Sequence, residues 1–168
     1  MKVIFLDIDG VLTSINRRMK LDPDNIARLG KILEATEAKL VISSSWRRHK
    51  LEDTIALLAD TQEFNHGGVE FPYCDKIIGH TLRLYAFCPA DKEKHYLSAR
   101  GLEIKRWLKD YSEKLGVTNY LILDDDCDML LEQAKHFIKT DTYKGLSNKN
   151  VDKAIKILNS KCNESTDY

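Results

Sequence analysis

The sequence predicts an α/β fold, a Rossmann-like three-layer sandwich with helices on both faces of a mainly parallel five-stranded sheet. Two observations favour this class. Short apolar runs of strand type alternate with longer segments in which apolar residues recur at helical spacing. Three of the apolar runs also end in polar clusters, as parallel strands do where a ligand lies at their carboxyl ends.

Five segments are predicted to form the strands. Residues 3–6, Lys39–Ile42 and residues 120–123 are strongly apolar, whereas residues 77–78 and 137–138 are shorter. Strands separated by helical segments are typical of parallel β-α-β units. The carboxyl ends of all five strands are therefore expected at one edge of one sheet.

Four helices and three loops are predicted between and after these strands. Asp22-Pro23 begins the first helix, because Asp is a good N-cap and Pro fits the first helical position. Gly116 ends the third helix. The helices are expected from residue 23, over 51–58, over 101–115 and over 151–158, and the loops over 13–21, 60–73 and 86–99.

Length, charge and cysteine spacing restrict the function classes. The 168 residues fit one domain, 1–168, and 26 basic residues balance 26 acidic ones, so a strongly basic nucleic-acid binder is not indicated. The four cysteines form no Cys-x-x-Cys pair, which argues against a zinc or redox motif. No signal peptide or membrane-spanning run is present, so a soluble, cytoplasmic protein without a membrane partner is expected. The oligomeric state is left open.

The first strand ends in paired acids followed by a glycine. Asp7 and Asp9 are spaced by one residue, which puts both carboxylates on one side of the pleat, and Gly10 permits a sharp turn after them. An aspartate here can attack phosphorus and form an aspartyl-phosphate. A second acid can protonate the leaving oxygen and then deprotonate water. Asp7 is the candidate nucleophile and Asp9 the candidate acid/base.

The other two polar strand ends supply the rest of this chemistry. Asp124 and Asp125, with Asp7 and the backbone carbonyl of Asp9, are candidate Mg²⁺ ligands, because Mg²⁺ prefers oxygen donors. The hydroxyls and backbone amides around Ser43 and Ser44 would hold phosphate oxygens at a helix start. A basic side chain would neutralise charge in the transition state.

An apolar strand before Asp-Ile-Asp-Gly-Val-Leu, a second before a serine run and a third before Asp-Asp-Asp resemble the haloacid dehalogenase (HAD) phosphohydrolase superfamily. The resemblance covers nearly the whole chain and implies a Mg²⁺-dependent phosphomonoesterase. It implies the nucleophile at Asp7 and the acid/base at Asp9. Ser43 matches the family's Ser/Thr, with Ser44 as the alternate, and Asp124 and Asp125 match its closing acidic pair.

The family's basic residue has two candidates here. Arg100 stands just before the third predicted helix, where the family places its Lys, and Lys105 lies one and a half turns further on. We favour Arg100, because the beginning of that helix lies at the sheet edge. Asp128 is expected to stabilise the acidic loop.

Residues 43–47, 100–108, 123–129 and 139–155 are also similar to the small HAD domain of Swiss Army Knife RNA repair proteins. This resemblance implies a phosphorylated substrate such as a nucleic-acid end or a nucleotide. The two points where HAD enzymes insert cap domains hold too few residues for a full cap of ~50 residues. An open cleft is therefore expected, with Gly10, Ser44 and Arg47 binding substrate and with Arg17, Arg18, Trp46 and Arg47 on its rim.

Two other functions use similar residues. A phosphoryl-receiver domain also has clustered acids, Mg²⁺, a hydroxyl and a lysine, but its phosphorylated Asp lies on a middle strand and its acidic pair on the first, the reverse of the order here. A phosphate-binding module without turnover is the other alternative. The four carboxylates of Asp7, Asp9, Asp124 and Asp125 argue against it.

Overall fold

The computed structural model describes residues 1–18, 20–60, 69–87, 95–97 and 99–160. In chain order its strands are β1 (Lys2–Leu6), β2 (Thr13–Ser14), β3 (Lys20–Leu21), β4 (Lys39–Ile42), β5 (Ile77–His80), β6 (Tyr85–Phe87), β7 (His95–Leu97), β8 (Asn119–Asp124) and β9 (Phe137–Lys139). Its α-helices are α1 (Pro23–Thr36), α2 (Leu51–Ala59), α3 (Arg100–Leu115) and α4 (Asn148–Asn159).

The central sheet has five strands in the order β5-β4-β1-β8-β9, and every pairing between them is parallel. This confirms the predicted sheet. β1, the most apolar strand, lies in the middle, with β4 and β8 beside it. Leu6 pairs with Ile42 on one side and with Leu123 on the other, so the three strands end at the same level.

Helices cover both faces of the sheet, as expected for a three-layer sandwich. Alternate side chains of β1 point to opposite faces: Ile4 and Leu6 pack in a core with α1, α2 and α4, whereas Val3 and Phe5 pack against Trp107 of α3. The rings of Phe5 and Trp107 meet edge to face with centroids 5.3 Å apart. Trp107 is thus a packing residue rather than part of a ligand site.

The helix boundaries follow the expected capping chemistry. The Asp22 carboxylate accepts a hydrogen bond from the amide of Asp24 (2.9 Å), and Pro23 is the first residue of α1. Gly116 ends α3 in the left-handed region, at φ 62°. α4 begins three residues before the predicted start, because Ser147 and Asn150 form a capping box.

Two segments predicted as loops contain short antiparallel ribbons instead. β2 pairs with β3 within residues 13–21, and β6 pairs with β7 within residues 85–97. Strands of two or three residues are too short to show a period-2 pattern. Residues 61–68 of the predicted loop 60–73, and Cys88 and Cys162, lie outside the described residues. Cys74 and Cys127 are free thiols, and none of the described helices has the length and apolarity to cross a membrane.

Candidate active site

The three polar strand ends meet at the carboxyl edge of the sheet. The amide of Asp7 donates to the carbonyl of Leu123 (3.0 Å), and the amide of Ser43 donates to the carbonyl of Leu6 (2.9 Å). Asp7, Ser43 and Asp124 are therefore held on three neighbouring strands, and all three are at least 95% buried. The convergence expected from the sequence is observed.

The turn after Asp7 requires a glycine. Gly10 has φ +67°, and a Cβ built there would lie 2.2 Å from the Oδ2 atom of Asp125. The Thr140 hydroxyl donates to the carbonyl of Gly10 (2.8 Å) and holds the turn from the β9 side. Gly10 thus lets the first loop lie against the acidic loop. Its expected contact with substrate stays a prediction.

Asp7, Asp124 and Asp125 form a compact carboxylate cluster. Each offers an oxygen, and the three atoms lie within 4.8 Å of one another. Burial, together with the charge of Asp7, raises the pKa of Asp124 to about 7, against the opposing effect of Arg100. The Oδ2 atom of Asp124 is buried and accepts no hydrogen bond within the described part of the chain. Among the described residues, the nearest cationic group to this atom is Nη1 of Arg100, at 3.4 Å. Three hard oxygen donors, one of them without a hydrogen bond, fit a divalent cation such as Mg²⁺.

The carboxylate of Asp9 lies apart from this cluster. Its Oδ1 accepts from the Thr13 hydroxyl (3.3 Å) and its Oδ2 from the indole N–H of Trp46 (2.9 Å). Its backbone carbonyl as a metal ligand stays a prediction. The contacts of Asp9 with Thr13 and Trp46 were not predicted from the sequence. The one sequence feature that pointed to Trp46 is its position beside the serine run.

Replacing Trp46 with Phe is expected to lower the turnover of a phosphomonoester about tenfold while changing KM little. Phe keeps an aromatic ring but lacks the indole N–H that orients the Asp9 carboxylate. The carboxylate of Asp9 would then be less well aligned for proton transfer. Steady-state kinetics across pH would test this. Trp107→Phe is the matched control, because Trp107 of α3 packs in the core against Phe5. A Trp46→Phe enzyme with wild-type turnover and pH profile would contradict the role.

The two candidate serines differ in their contacts. Burial raises the pKa of the Asp7 carboxyl, whereas the charge of Arg100 and the side chain of Ser44 lower it. The Ser44 hydroxyl also accepts a hydrogen bond from the amide of Trp46 (3.3 Å). The Ser43 hydroxyl is buried and has no hydrogen-bond partner among the described residues. Ser44 therefore favours the ionised form of Asp7, whereas Ser43 keeps a free donor. Ser43 and Ser44 as phosphate ligands stay predictions.

Arg100 is the basic residue that the fold brings into the acidic cluster. Its Nη1 lies 3.3 Å from Asp7 and 3.4 Å from Asp124, and it also donates to the carbonyl of Ser43. Asp128 fixes the start of α3 by accepting a hydrogen bond from the Arg100 amide (2.7 Å). The carboxylates of Asp7 and Asp124 raise the pKa of Arg100 against the effect of burial. Arg100 is therefore a fixed cation beside Asp7.

Lys105, the rival candidate, points elsewhere. Its ammonium pairs with Glu132 (2.9 Å), and the Lys105 side chain is 58% exposed. The geometry therefore favours Arg100.

For the phosphomonoesterase activity predicted from the sequence, Arg100→Gln is expected to reduce kcat/KM about 10²–10³-fold, because it removes the cation beside Asp7 that would stabilise charge in the transition state. Lys105→Gln is the matched control and should stay within about twofold of wild type. Steady-state phosphate release measures both. A larger loss of kcat/KM in Lys105→Gln than in Arg100→Gln would reassign the basic role to Lys105.

The expected basic rim is only partly present. The Arg47 side chain is 6% exposed and pairs with Glu103 of α3 at 2.9 Å, so it is not an exposed rim residue. It is buried because Glu103 and Thr81 bind its guanidinium. Arg17 is exposed but pairs with Asp22 (3.3 Å). Arg18 is also exposed, and its backbone has a left-handed conformation with φ 55°. Arg47 as a direct substrate ligand stays a prediction.

A family model described as the HAD domain in Swiss Army Knife RNA repair proteins matches residues 3–151. The matched range contains all three polar strand ends and Arg100. No curated protein and no solved structure shows a significant match to the chain.

Proposed function

Because the chain belongs to the family of HAD domains found in Swiss Army Knife RNA repair proteins, we propose that it is a Mg²⁺-dependent phosphomonoester hydrolase acting through an aspartyl-phosphate. The observation that carries the proposal is the position of Asp7. Its buried carboxylate lies 3.3 Å from Nη1 of Arg100, and it offers an oxygen within 4.8 Å of oxygens of Asp124 and Asp125. The proposed nucleophile therefore lies next to both a fixed arginine and a candidate site for a divalent metal ion.

In the first proposed step a carboxylate oxygen of Asp7 attacks the phosphorus of the substrate. The bond from phosphorus to the leaving oxygen breaks, and Asp9 transfers a proton to that oxygen. The separate position of Asp9, held by Thr13 and Trp46, suits this role, because the acid stays out of the carboxylate cluster. The Ser43 hydroxyl and the Arg100 guanidinium would stabilise the phosphoryl oxygens.

In the second step Asp9, now a carboxylate, removes a proton from water as the water attacks the aspartyl-phosphate. The bond between phosphorus and the Asp7 oxygen breaks, which releases inorganic phosphate and restores both side chains. Asp7, Asp124 and Asp125 would hold the divalent cation. When bound, that cation neutralises the carboxylates and the phosphoryl group so that two anions can approach.

The proposed substrates are nucleic-acid ends or nucleotides with a terminal phosphate. The segments at both cap insertion points are short. Their described parts contain the ribbons β2-β3 and β6-β7 and one turn of 3-10 helix, Ile15–Arg17. An open site accommodates a bulky substrate, whereas a small one needs a cap to exclude water. The family is described from RNA repair proteins, which favours the same class.

We expect phosphorylated oligonucleotides and nucleotides to be used with a higher kcat/KM than a hexose phosphate. The measurement compares phosphate release from an oligonucleotide phosphorylated at either end, a mononucleotide, glucose 6-phosphate and 4-nitrophenyl phosphate. Equal or better use of the hexose phosphate would contradict the substrate class. Stoichiometric phosphorylation of the protein without turnover would instead favour a receiver module, and binding without either would favour a phosphate-binding module.

A further inference from the structure

A pocket of about 500 Å³ lies beyond the ends of β4 and β5. Most of the residues that line it are basic or polar. They are Arg47, Arg48 and His49 after β4, and His80, Thr81 and Arg83 at the end of β5 and just after it. The mechanism proposed above uses none of these side chains.

Buried contacts build the wall of this basic pocket. The Arg47 guanidinium donates to Thr81 (2.8 Å) and pairs with Glu103 (2.9 Å), and its buried Nε has no partner within the described residues. Arg83 donates to the carbonyls of Ser45 (2.6 Å) and Arg47 (3.2 Å) and so lies against the same loop. The pocket is therefore held by specific hydrogen bonds rather than by loosely placed surface side chains.

The basic pocket has an excess of positive charge. Three arginines line it and none of its lining residues is acidic. Glu103 of α3, which pairs with Arg47, is not one of the lining residues. Burial lowers the pKa of Arg47, and the nearby charges of Arg100 and Arg83 lower it further, whereas Glu103 opposes them. Because the whole chain has no net charge, this excess is a local feature. An anion in the pocket would relieve the repulsion.

The basic pocket lies on the same edge of the sheet as Asp7. The amide of Thr81 donates to the carbonyl of Ile42 (3.0 Å), so Thr81 follows β5 as Ser43 follows β4 and Asp7 follows β1. Neighbouring strands are ~4.8 Å apart, which puts the pocket roughly 10 Å from Asp7 along the edge. The charge of Arg100, which contacts Asp7, also lowers the pKa of Arg47.

The geometry points to a second phosphate subsite in which this basic pocket binds a backbone phosphodiester of the strand whose terminal phosphate lies at Asp7. The inference rests on the proposed function. A nucleic-acid strand carries a phosphate at every nucleotide, so a second anion is always present at a regular distance from the end. A mononucleotide or a hexose monophosphate has no second phosphate. The subsite would therefore select strands over small phosphomonoesters.

The first test changes the substrate and leaves the protein intact. The wild-type enzyme is given a mononucleotide, a phosphorylated trinucleotide and the same trinucleotide with uncharged methylphosphonate linkages. KM for the charged trinucleotide should be about tenfold below that for the mononucleotide, and the uncharged linkages should remove the difference. Equal KM values for the two trinucleotides would overturn the inference.

The second test changes the pocket. Arg48→Gln is compared with Arg106→Gln, an exposed arginine on α3 that pairs with Asp110 away from the pocket. In Arg48→Gln the ratio of KM for the mononucleotide to KM for the trinucleotide should fall about fivefold. The kcat for the trinucleotide should be retained. It should also reduce the slope of log affinity against log salt by about 0.7, as expected for one lost phosphate contact on a single strand. Identical behaviour of the two variants would overturn the inference.

A binding measurement separates this inference from the proposed function. Fluorescence anisotropy of a labelled, phosphorylated trinucleotide reports affinity whether or not the strand is hydrolysed. Release of phosphate from 4-nitrophenyl phosphate by the same preparation tests the proposed hydrolysis alone. Tighter binding of the charged strand than of the methylphosphonate strand, lost in Arg48→Gln, would support the subsite even without turnover. If the two strands bind with equal affinity, the subsite is rejected even where the hydrolysis is confirmed.

Discussion

Asp7→Asn is expected to abolish phosphomonoester turnover, with a fall in kcat of about 10⁴-fold or more. An amide oxygen cannot replace the carboxylate as a nucleophile, and loss of the attacking group is among the largest single effects in covalent catalysis. Asn has the same shape and still accepts the hydrogen bond that the Ile8 amide makes with Oδ1 of Asp7 (2.8 Å). The fold should therefore persist, which thermal unfolding of both proteins would check.

A companion variant, Asp9→Asn, should lose about 10²–10⁴-fold, because it removes only proton transfer. Beryllofluoride mimics a phosphoryl group on a carboxylate, so a crystal structure of the wild-type adduct would identify the residue attacked. An adduct on any side chain other than Asp7 would overturn the assignment. Retention of a tenth or more of wild-type activity by Asp7→Asn would do the same.

The sheet and the position of the acids could be predicted because strong, local patterns carry them. The apolar runs that became β1, β4 and β8 are long enough to identify as strands. The rule that parallel strands present ligands at their carboxyl ends then brings Asp7, Ser43 and Asp124 together without a structure. The ribbons in residues 13–21 and 85–97 were missed because two- and three-residue strands have no readable period.

Side-chain pairing was the part that the sequence could not supply. Arg100 begins a helix and Arg47 follows a strand at the sheet edge, so the sequence assigned Arg100 to the basic role and Arg47 to the exposed rim, but it gave no sign that Arg47 is buried against an acid. The structure separates them through α3, whose Glu103 binds Arg47 while its first residue, Arg100, is directed to Asp7. The pairing of Trp46 with Asp9 likewise depends on two loops 37 residues apart. Such contacts follow from tertiary packing, which periodicity does not encode.

Removal of divalent cations with EDTA is expected to abolish activity, and added Mg²⁺ should restore it. Asp7, Asp124 and Asp125 place three carboxylate oxygens within 4.8 Å, and Arg100 is the one cation that the described residues bring to both Asp7 and Asp124 within ion-pair distance. Without a further cation these carboxylates would repel an incoming phosphate. Full activity in the chelator would contradict the metal mechanism.

Mg²⁺ should also raise the melting temperature of the protein in the absence of substrate. A ligand that binds only the folded state at 100 times its Kd stabilises it by about 2.7 kcal/mol, and this readout does not depend on catalysis. Asp125→Asn should weaken the effect, because Asp125 supplies one of the three oxygens. Asp126→Asn is the matched control, since the exposed Asp126 lies outside the cluster. If both variants respond to Mg²⁺ as the wild type does, the cation binds elsewhere, because a site built on this cluster loses a ligand only in Asp125→Asn.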